Sequence, residues 1–177
     1  MKINNTSKIV YMGLLISMAL ILSLVERSIP VPFVTPGAKL GLSNLIIIIS
    51  IYTLNDFRES FIILILKIIM SSIFGGSLSS FLYSFTGGIL SFFIALLIKS
   101  IFKENVSIVG VSASSAVFHN VGQLLAASLI LNNFSIFLYL PILTFIGIIT
   151  GSFIGISANY ILSHMLKSSF FTNKFKA

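Results

Sequence analysis

Cysteine is absent from this sequence, and acidic residues are scarce. The lack of cysteine excludes disulfides, thiolate catalysis and cysteine-ligated metal sites. The carboxylates are Glu26, Asp56, Glu59 and Glu104, too scattered for an aspartate-rich magnesium motif or a Ser-His-Asp triad. A Walker loop and a histidine cluster at metal-binding spacing are missing as well. We therefore expect a protein that is not an enzyme, with no catalytic residues, no metal site and no cofactor.

Charged residues of either sign are also few. They make up 8% of the chain, against 56% hydrophobic residues, and the mean hydropathy is +1.10. A soluble domain of 177 residues would need far more charge to cover its surface. The first apolar segment is long and is followed by several others, which favours a membrane span over a removed signal peptide. The composition predicts a multi-pass protein of the cell membrane, solvated by the lipid bilayer.

Six apolar segments predict an all-α integral membrane bundle of six helices, formed by one domain over residues 1–177. The approximate spans are 8–26, 40–54, 60–75, 78–102, 106–131 and 136–166. The second and third are short for a bilayer core of roughly 30 Å. Short spans are typical of helices whose polar ends meet a protein-lined cavity rather than lipid.

The distribution of basic residues predicts that both termini are cytoplasmic. With the N-terminus inside, the cytoplasmic segments hold Lys2, Lys8, Arg58, Lys99, Lys103, Lys167, Lys174 and Lys176. The outer segments hold only Arg27 and Lys39, and Lys67 lies within a span. Such a bias toward the inside is the usual topological signal. We assign the net charge of +7 to topology and expect no nucleic-acid partner.

The segment VERSIPVPFVTPGAKLGLSN, residues 25–44, joins the first two spans on the outer side. Its three prolines, Pro30, Pro32 and Pro36, predict a stiff, extended loop, and Gly37 permits a sharp turn into the second helix. One interpretation is a rigid hairpin with its charges among the lipid headgroups. The other is a gate over a binding pocket, with Glu26 and Lys39 turned inward.

Lys67 lies near the middle of the third span, in FIILILKIIMSS. Its stem reaches only part of the way to either membrane surface. An unpaired ammonium in hydrocarbon costs at least about 2.5 kcal/mol, so we expect Lys67 to face the bundle interior. It is a candidate ligand-binding or gating residue, or else the partner of Glu26 in a structural ion pair.

The fifth span carries VFHNVGQLLAA. His119, Asn120 and Gln123 are three or four residues apart, which predicts one shared polar face. Such groups are common interhelical hydrogen-bonding residues in membrane bundles. Together with Lys67 at similar depth, and with Asn44 near the start of the second helix, they also suit a pocket for a small molecule. Lys39, Lys67 and His119 favour an anionic or carbonyl-rich ligand.

Small residues recur at spacings of four on three spans. Gly13 and Ser17 form such a pair on the first span. The longer stripes are Gly87, Ser91 and Ala95 on the fourth span and Gly147, Gly151 and Gly155 on the sixth. Stripes of this kind allow close helix packing, either inside the protein or against another subunit. The pattern leaves open which stripe serves which purpose.

Three motifs together, VERSIPVPFVTPGAKLGLSN, YSFTGGILS and HNVGQLLAA, carry a family resemblance. The chain resembles the Gx transporter family, many of whose members carry the label heptaprenyl diphosphate synthase component I. The resemblance covers roughly residues 8–165. That family is similar to the six-helix substrate-binding (S) components of energy-coupling-factor transporters, which capture vitamins or similar micronutrients.

The resemblance implies partners and roles. S components work with two ATPase subunits and a transmembrane coupling subunit, and the coupling subunit docks at small residues on the first helix. By this resemblance Gly13 and Ser17 are docking candidates, although a glycine-serine pair stands where the better-known members have two alanines. The outer loop with Pro30, Pro32, Pro36 and Gly37 becomes the gate of the pocket.

Two functions are therefore compatible with the sequence. The first is the S component of an energy-coupling transporter, binding a small molecule from outside. The second is a non-catalytic membrane subunit of a prenyl-lipid, quinone or redox assembly. A prenyl synthase itself is disfavoured, since it needs clustered aspartates for magnesium and diphosphate and this chain has one aspartate.

Overall fold

The structure of the protein, a computed structural model, describes residues 5–28, 41–54, 56–74, 77–165 and 167. Within these ranges the α-helices are α1 (Asn5–Arg27), α2 (Asn44–Thr53), α3 (Phe57–Ile73), α4 (Leu78–Phe102), α5 (Ile108–Ile130) and α6 (Leu140–Met165). Short 3₁₀ helices, Lys103–Asn105 and Phe134–Tyr139, precede α5 and α6. Every regular element in the described part is helical, which confirms the predicted all-helical bundle.

Several of the helices are long and apolar enough to cross a membrane. They are Thr6–Glu26, Leu78–Phe102, Ile108–Ile130 and Phe134–Met165. Large hydrophobic side chains such as Ile21, Leu97 and Phe153 are exposed on their outer surfaces. Lipid tails can solvate these side chains, whereas water would not. The predicted membrane character is confirmed.

Helix α2 is short and lies inside the bundle. It begins at Asn44 because residues 41–43 form a turn, so it starts later than the predicted residue 40. Its length of ten residues spans only about 15 Å. Ile46 to Ile49 are each at most 3% exposed, and α2 contacts α1, α3, α4 and α6. A helix that is hydrophobic all round is expected to be enclosed by protein, and α2 is.

Polar residues define where several helices begin. Asp56 precedes α3 and its side chain accepts a hydrogen bond from the Arg58 backbone nitrogen at 2.9 Å. Ser77 and Ser107 cap α4 and α5 through their hydroxyl oxygens, each at 3.1 Å from a backbone nitrogen three residues later. A side-chain oxygen in this position satisfies a backbone donor that the helix leaves unpaired.

Helix α5 packs mainly against α4 and α6, and glycine permits the close approach on both sides. A Cβ atom on Gly122 of α5 would lie 2.7 Å from the Gly87 Cα of α4. Cβ atoms on Gly151 and Gly155 of α6 would lie 2.7 and 2.5 Å from the Cα atoms of Ala113 and Val109 of α5. The small-residue stripes of α4 and α6 therefore serve packing within the protein.

The end of the bundle at which α1 begins and α6 ends, called the terminal end below, is tied by polar contacts. Lys8 Nζ lies 2.5 Å from Glu59 Oε1, and the Tyr11 hydroxyl donates to Thr53 Oγ1 at 3.0 Å. Lys99 Nζ donates to the Ile51 carbonyl at 2.6 Å. These contacts join α1 to the first turn of α3, and both α1 and α4 to the last turn of α2.

Candidate functional site

Every predicted binding residue that falls in the described ranges is buried. Glu26, Asn44, Lys67, His119, Asn120 and Gln123 are between 2% and 8% exposed. Charged and amide groups are rarely buried so completely unless they are paired or serve a ligand. Their neighbours therefore decide which of them form a site.

The carboxylate of Glu26, at the end of α1, accepts a hydrogen bond from the Gly41 backbone N–H, in the turn before α2. Gly41 has φ +84°, a conformation that a residue with a Cβ atom rarely adopts. A Cβ atom there would also lie 3.1 Å from Asn44 Nδ2 and 3.9 Å from His119 Cδ2. The end of α1, the start of α2 and the middle of α5 therefore converge at Gly41.

The His119 side chain packs against α4 and contacts Gln123 of its own helix, α5. Its Nε2 lies 3.2 Å from the Gln123 amide nitrogen. An amide NH₂ can only donate, so in this orientation the imidazole nitrogen accepts and the ring proton is assigned to Nδ1. Gly87 on α4 makes room for the ring, because a Cβ atom there would lie 3.1 Å from His119 Cε1 and from Gln123 Cγ. We call Glu26, Gly41, Asn44, His119 and Gln123 the polar cluster.

Asn44 supplies the acceptor in the polar cluster that is not used. Its Oδ1 is buried and accepts no hydrogen bond in the part of the chain that the structure describes. A buried acceptor left in this state costs about 1–3 kcal/mol. A ligand N–H or O–H group would recover that free energy. The polar cluster therefore has a buried acceptor that its own described hydrogen bonds leave unsatisfied.

Asn120 lies outside the polar cluster. Its Nδ2 donates to the Leu143 carbonyl of α6 at 2.7 Å, and a Cβ atom on Gly147 would lie 2.9 Å from the same nitrogen. The shared-face prediction thus holds for His119 and Gln123, which lie toward α4, whereas Asn120 lies toward α6. A role for Asn120 in ligand binding stays a prediction, but one of its two amide hydrogens already bonds to the Leu143 carbonyl.

Lys67 lies on the α1–α3 side of the bundle. Ser71, one turn further along α3, shares a hydrogen bond of 2.8 Å with Ser23 of α1. Lys67 lies about one turn before Ser71, and Glu26 lies almost one turn after Ser23. Their Cα atoms are therefore about 10 Å apart along the helix axes. The predicted pairing of these two side chains, and a role for Lys67 toward a ligand, stay predictions.

The predicted gate and rim residues, Pro30, Pro32, Pro36, Gly37 and Lys39, lie outside the described residues. The described residues on either side of them are nonetheless connected, because the Glu26 carboxylate at the end of α1 accepts from Gly41. Gly41 was not singled out from the sequence. Its position three residues before the first residue of α2, in KLGLSN, was the available signal.

Gly13 and Ser17 are exposed on the outer surface of α1. A Cβ atom on Gly13 would have nothing within 4 Å, and the Ser17 hydroxyl donates to the Gly13 carbonyl at 2.9 Å. This pair therefore differs from the stripes of α4 and α6, which pack against α5. Among the described residues, no three His, Asp or Glu side chains lie close enough together to hold a metal ion.

Comparison with known proteins places the chain in a family. Neither the comparison with curated proteins nor that with solved structures found a match. The family described as heptaprenyl diphosphate synthase component I matches residues 15–161, a range that includes α2 to α5, most of α1 and α6, and the whole polar cluster. The match covers more than half of the chain, and the chain belongs to the heptaprenyl diphosphate synthase component I family.

Proposed function

We propose that this membrane protein is the substrate-binding (S) component of an energy-coupling-factor type transporter. It captures a vitamin-like or other small micronutrient from outside the cell, and separate coupling and ATPase subunits drive uptake. In this proposal it lies in the cell membrane with both termini cytoplasmic, and it carries out no chemical reaction itself. The observation that carries the proposal is the polar cluster, with the buried Asn44 Oδ1 that no described group satisfies.

The position of the polar cluster supports capture from one side of the membrane. Glu26 lies at the end of α1, and Asn44 begins α2, so both lie away from the terminal end. The charge bias favours a cytoplasmic terminal end, and with that orientation the polar cluster faces outside. Cytoplasmic reporters fused to either terminus test this orientation, and an external signal from either one would contradict it.

The proposed substrate class follows from the chemistry of the predicted binding residues. Asn44 Oδ1 needs a donor, whereas Lys39, Lys67 and His119 favour an anionic or carbonyl oxygen. A small compound that has both kinds of group suits the site best. Mass spectrometry of small molecules released from the purified protein would identify it.

The exposed pair on α1 supports docking of a coupling subunit. Ser17 and Ser72 provide a matched comparison, because both are serines whose hydroxyls donate to a backbone carbonyl of their own helix. We expect Ser17→Leu to abolish uptake while the isolated subunit still binds its ligand, and Ser72→Leu to leave both intact. Equal uptake by the two variants, or loss of binding together with uptake in Ser17→Leu, would exclude docking at this pair.

A second candidate function follows from the description of the family. The protein would then be a non-catalytic membrane subunit of a prenyl-lipid, quinone or redox assembly. Affinity purification from native membranes separates the two proposals. Co-purifying coupling and ATPase subunits support the transporter, whereas a co-purifying soluble prenyl synthase supports the second function.

A further inference from the structure

A second polar site lies at the terminal end, away from the polar cluster. A cleft of about 260 Å³ opens there between the last turn of α2, the first turn of α3 and the last turns of α4. Its lining includes Ser60, Lys99 and Ser100. A longer apolar groove of about 510 Å³ adjoins it along α4 and shares Phe57, Leu96 and Ser100 with it.

The cleft combines a cation with an unused hydroxyl. Lys99 Nζ donates to the Ile51 carbonyl at 2.6 Å and lies 4.3 Å from the centroid of the Tyr52 ring. An ammonium group has three donors, so this backbone contact leaves donors for a ligand. Ser60 Oγ is buried in the cleft wall and has no hydrogen-bond partner among the described residues. Both groups suit an anionic oxygen.

The neighbouring carboxylates are already engaged. Asp56 accepts from the Arg58 backbone nitrogen at 2.9 Å, and Glu59 pairs with Lys8 at 2.5 Å. Lys99 has no carboxylate partner within the described ranges. The positive charge at the cleft is therefore available to an anion.

The groove has the dimensions of one lipid chain. From Ser100 toward the middle of α4 it is lined by Leu97, Ile94, Phe93 and Leu90. The rise from Ser100 to Leu90 is about 15 Å along the helix, which is half of a hydrocarbon core of roughly 30 Å. A chain whose head lies at Lys99 would therefore reach the bilayer midplane.

We propose that this cleft and groove bind one anionic phospholipid from the membrane leaflet at the terminal end. Its phosphate contacts Lys99 and the hydroxyl of Ser60, and one acyl chain lies along α4. The lipid would bridge α3 and α4 beside the carboxyl end of α2, where Lys99 already stabilises the final carbonyl groups. This site does not depend on the transport function proposed above.

Lipid selectivity tests the proposal directly. The full-length protein in detergent is incubated with dioleoylphosphatidylglycerol, with dioleoylphosphatidylcholine or with glycerol phosphate, and thermal unfolding and lipid retention by native mass spectrometry are recorded. We expect the anionic lipid to raise the unfolding temperature and to be retained at about tenfold lower concentration than the zwitterionic lipid. Equal retention of both lipids would show ordinary lipid-facing surface, and stabilisation by glycerol phosphate alone would show a phosphate site without a lipid chain.

Two matched pairs of variants locate the lipid. Lys99→Gln should weaken retention of the anionic lipid about tenfold or more, whereas Lys103→Gln removes an exposed charge just beyond α4 and should have little effect. Leu97→Trp fills the apolar groove, and Ile101→Trp adds the same bulk at an exposed position outside it. If the two variants of either pair retain the anionic lipid equally, the lipid does not bind in this cleft and groove. The tryptophan pair keeps the test valid if Lys99→Gln fails to fold.

Discussion

Helix α5 presents two different faces to its neighbours, although the residues that form them are adjacent in sequence. Toward α6 the contact is closed, because Gly151 and Gly155 bring the helices into backbone contact and Asn120 is hydrogen-bonded to Leu143. Toward α4 and α2 the same turn of α5 presents His119 and Gln123 to the polar cluster. Both faces hold the bundle together, since a Cβ atom on Gly122 would also lie 2.7 Å from the Gly87 Cα of α4, but only the second carries the polar cluster.

Buried polar residues in a membrane bundle are distinguished by their hydrogen-bond partners. Asn120 and Asn44 are both amides with similar burial, 8% and 6% exposed. The Asn120 amide donates to a carbonyl of the next helix, whereas Asn44 Oδ1 has no partner within the described ranges. The first amide therefore stabilises packing, and the second is available for recognition.

The largest expected effect is a loss of stability at the contact between α5 and α6. Gly151→Val places a branched side chain where even a Cβ atom lies 2.7 Å from the Ala113 Cα. Because backbone is less able to move than a flexible side chain, the variant should lose about 3 kcal/mol of stability against unfolding in detergent. Gly13→Val is the matched control, since nothing lies within 4 Å of its Cβ position. Equal stability of the two variants would contradict the close α5–α6 contact.

On the other face, Gln123→Leu should weaken ligand binding about 10- to 100-fold, which corresponds to about 1.4–2.8 kcal/mol. The substitution removes the donor to His119 Nε2 and so releases the imidazole from its orientation. Retention of the small molecule that co-purifies with the wild-type protein is the measurement. Unchanged retention would assign the His119–Gln123 contact to helix structure alone.

Asn120→Leu should lower the stability rather than the ligand affinity, and its effect should be smaller than those of the two variants above. It leaves the Leu143 carbonyl without its donor, which costs about 1–2 kcal/mol of stability. The affinity for the co-purifying ligand should change less than threefold, because this amide lies toward α6. A normal unfolding temperature together with lost retention would return Asn120 to the binding site.

The sequence predicted the positions of the helices better than it predicted which helices contact each other. Length and hydropathy located α4 and α5 to within two residues, and the glycine spacing on α6 correctly indicated close packing. A spacing alone does not name the facing helix, so the internal stripe on α6 and the exposed pair on α1 looked equivalent. The exposure of Gly13 distinguishes them.

The candidate site was predicted in composition but not in arrangement. Buried polar residues in apolar helices are conspicuous, and for this reason Asn44, His119 and Gln123 were found. Adjacent helical residues point about 100° apart, and only the packing of α6 decides that Asn120 lies on the other side. Gly41 was missed because a positive φ is not visible in a turn that contains no other unusual residue.

Asn44→Leu tests whether the polar cluster binds a ligand through the unused Asn44 acceptor. Leucine has a similar shape and has no buried acceptor to leave unpaired. The ligand-free variant should therefore be about 1 kcal/mol more stable than the wild-type protein toward unfolding. Its retention of the co-purifying small molecule should fall tenfold or more. A variant that is less stable than the wild type and retains the compound normally would contradict ligand binding through Asn44 Oδ1.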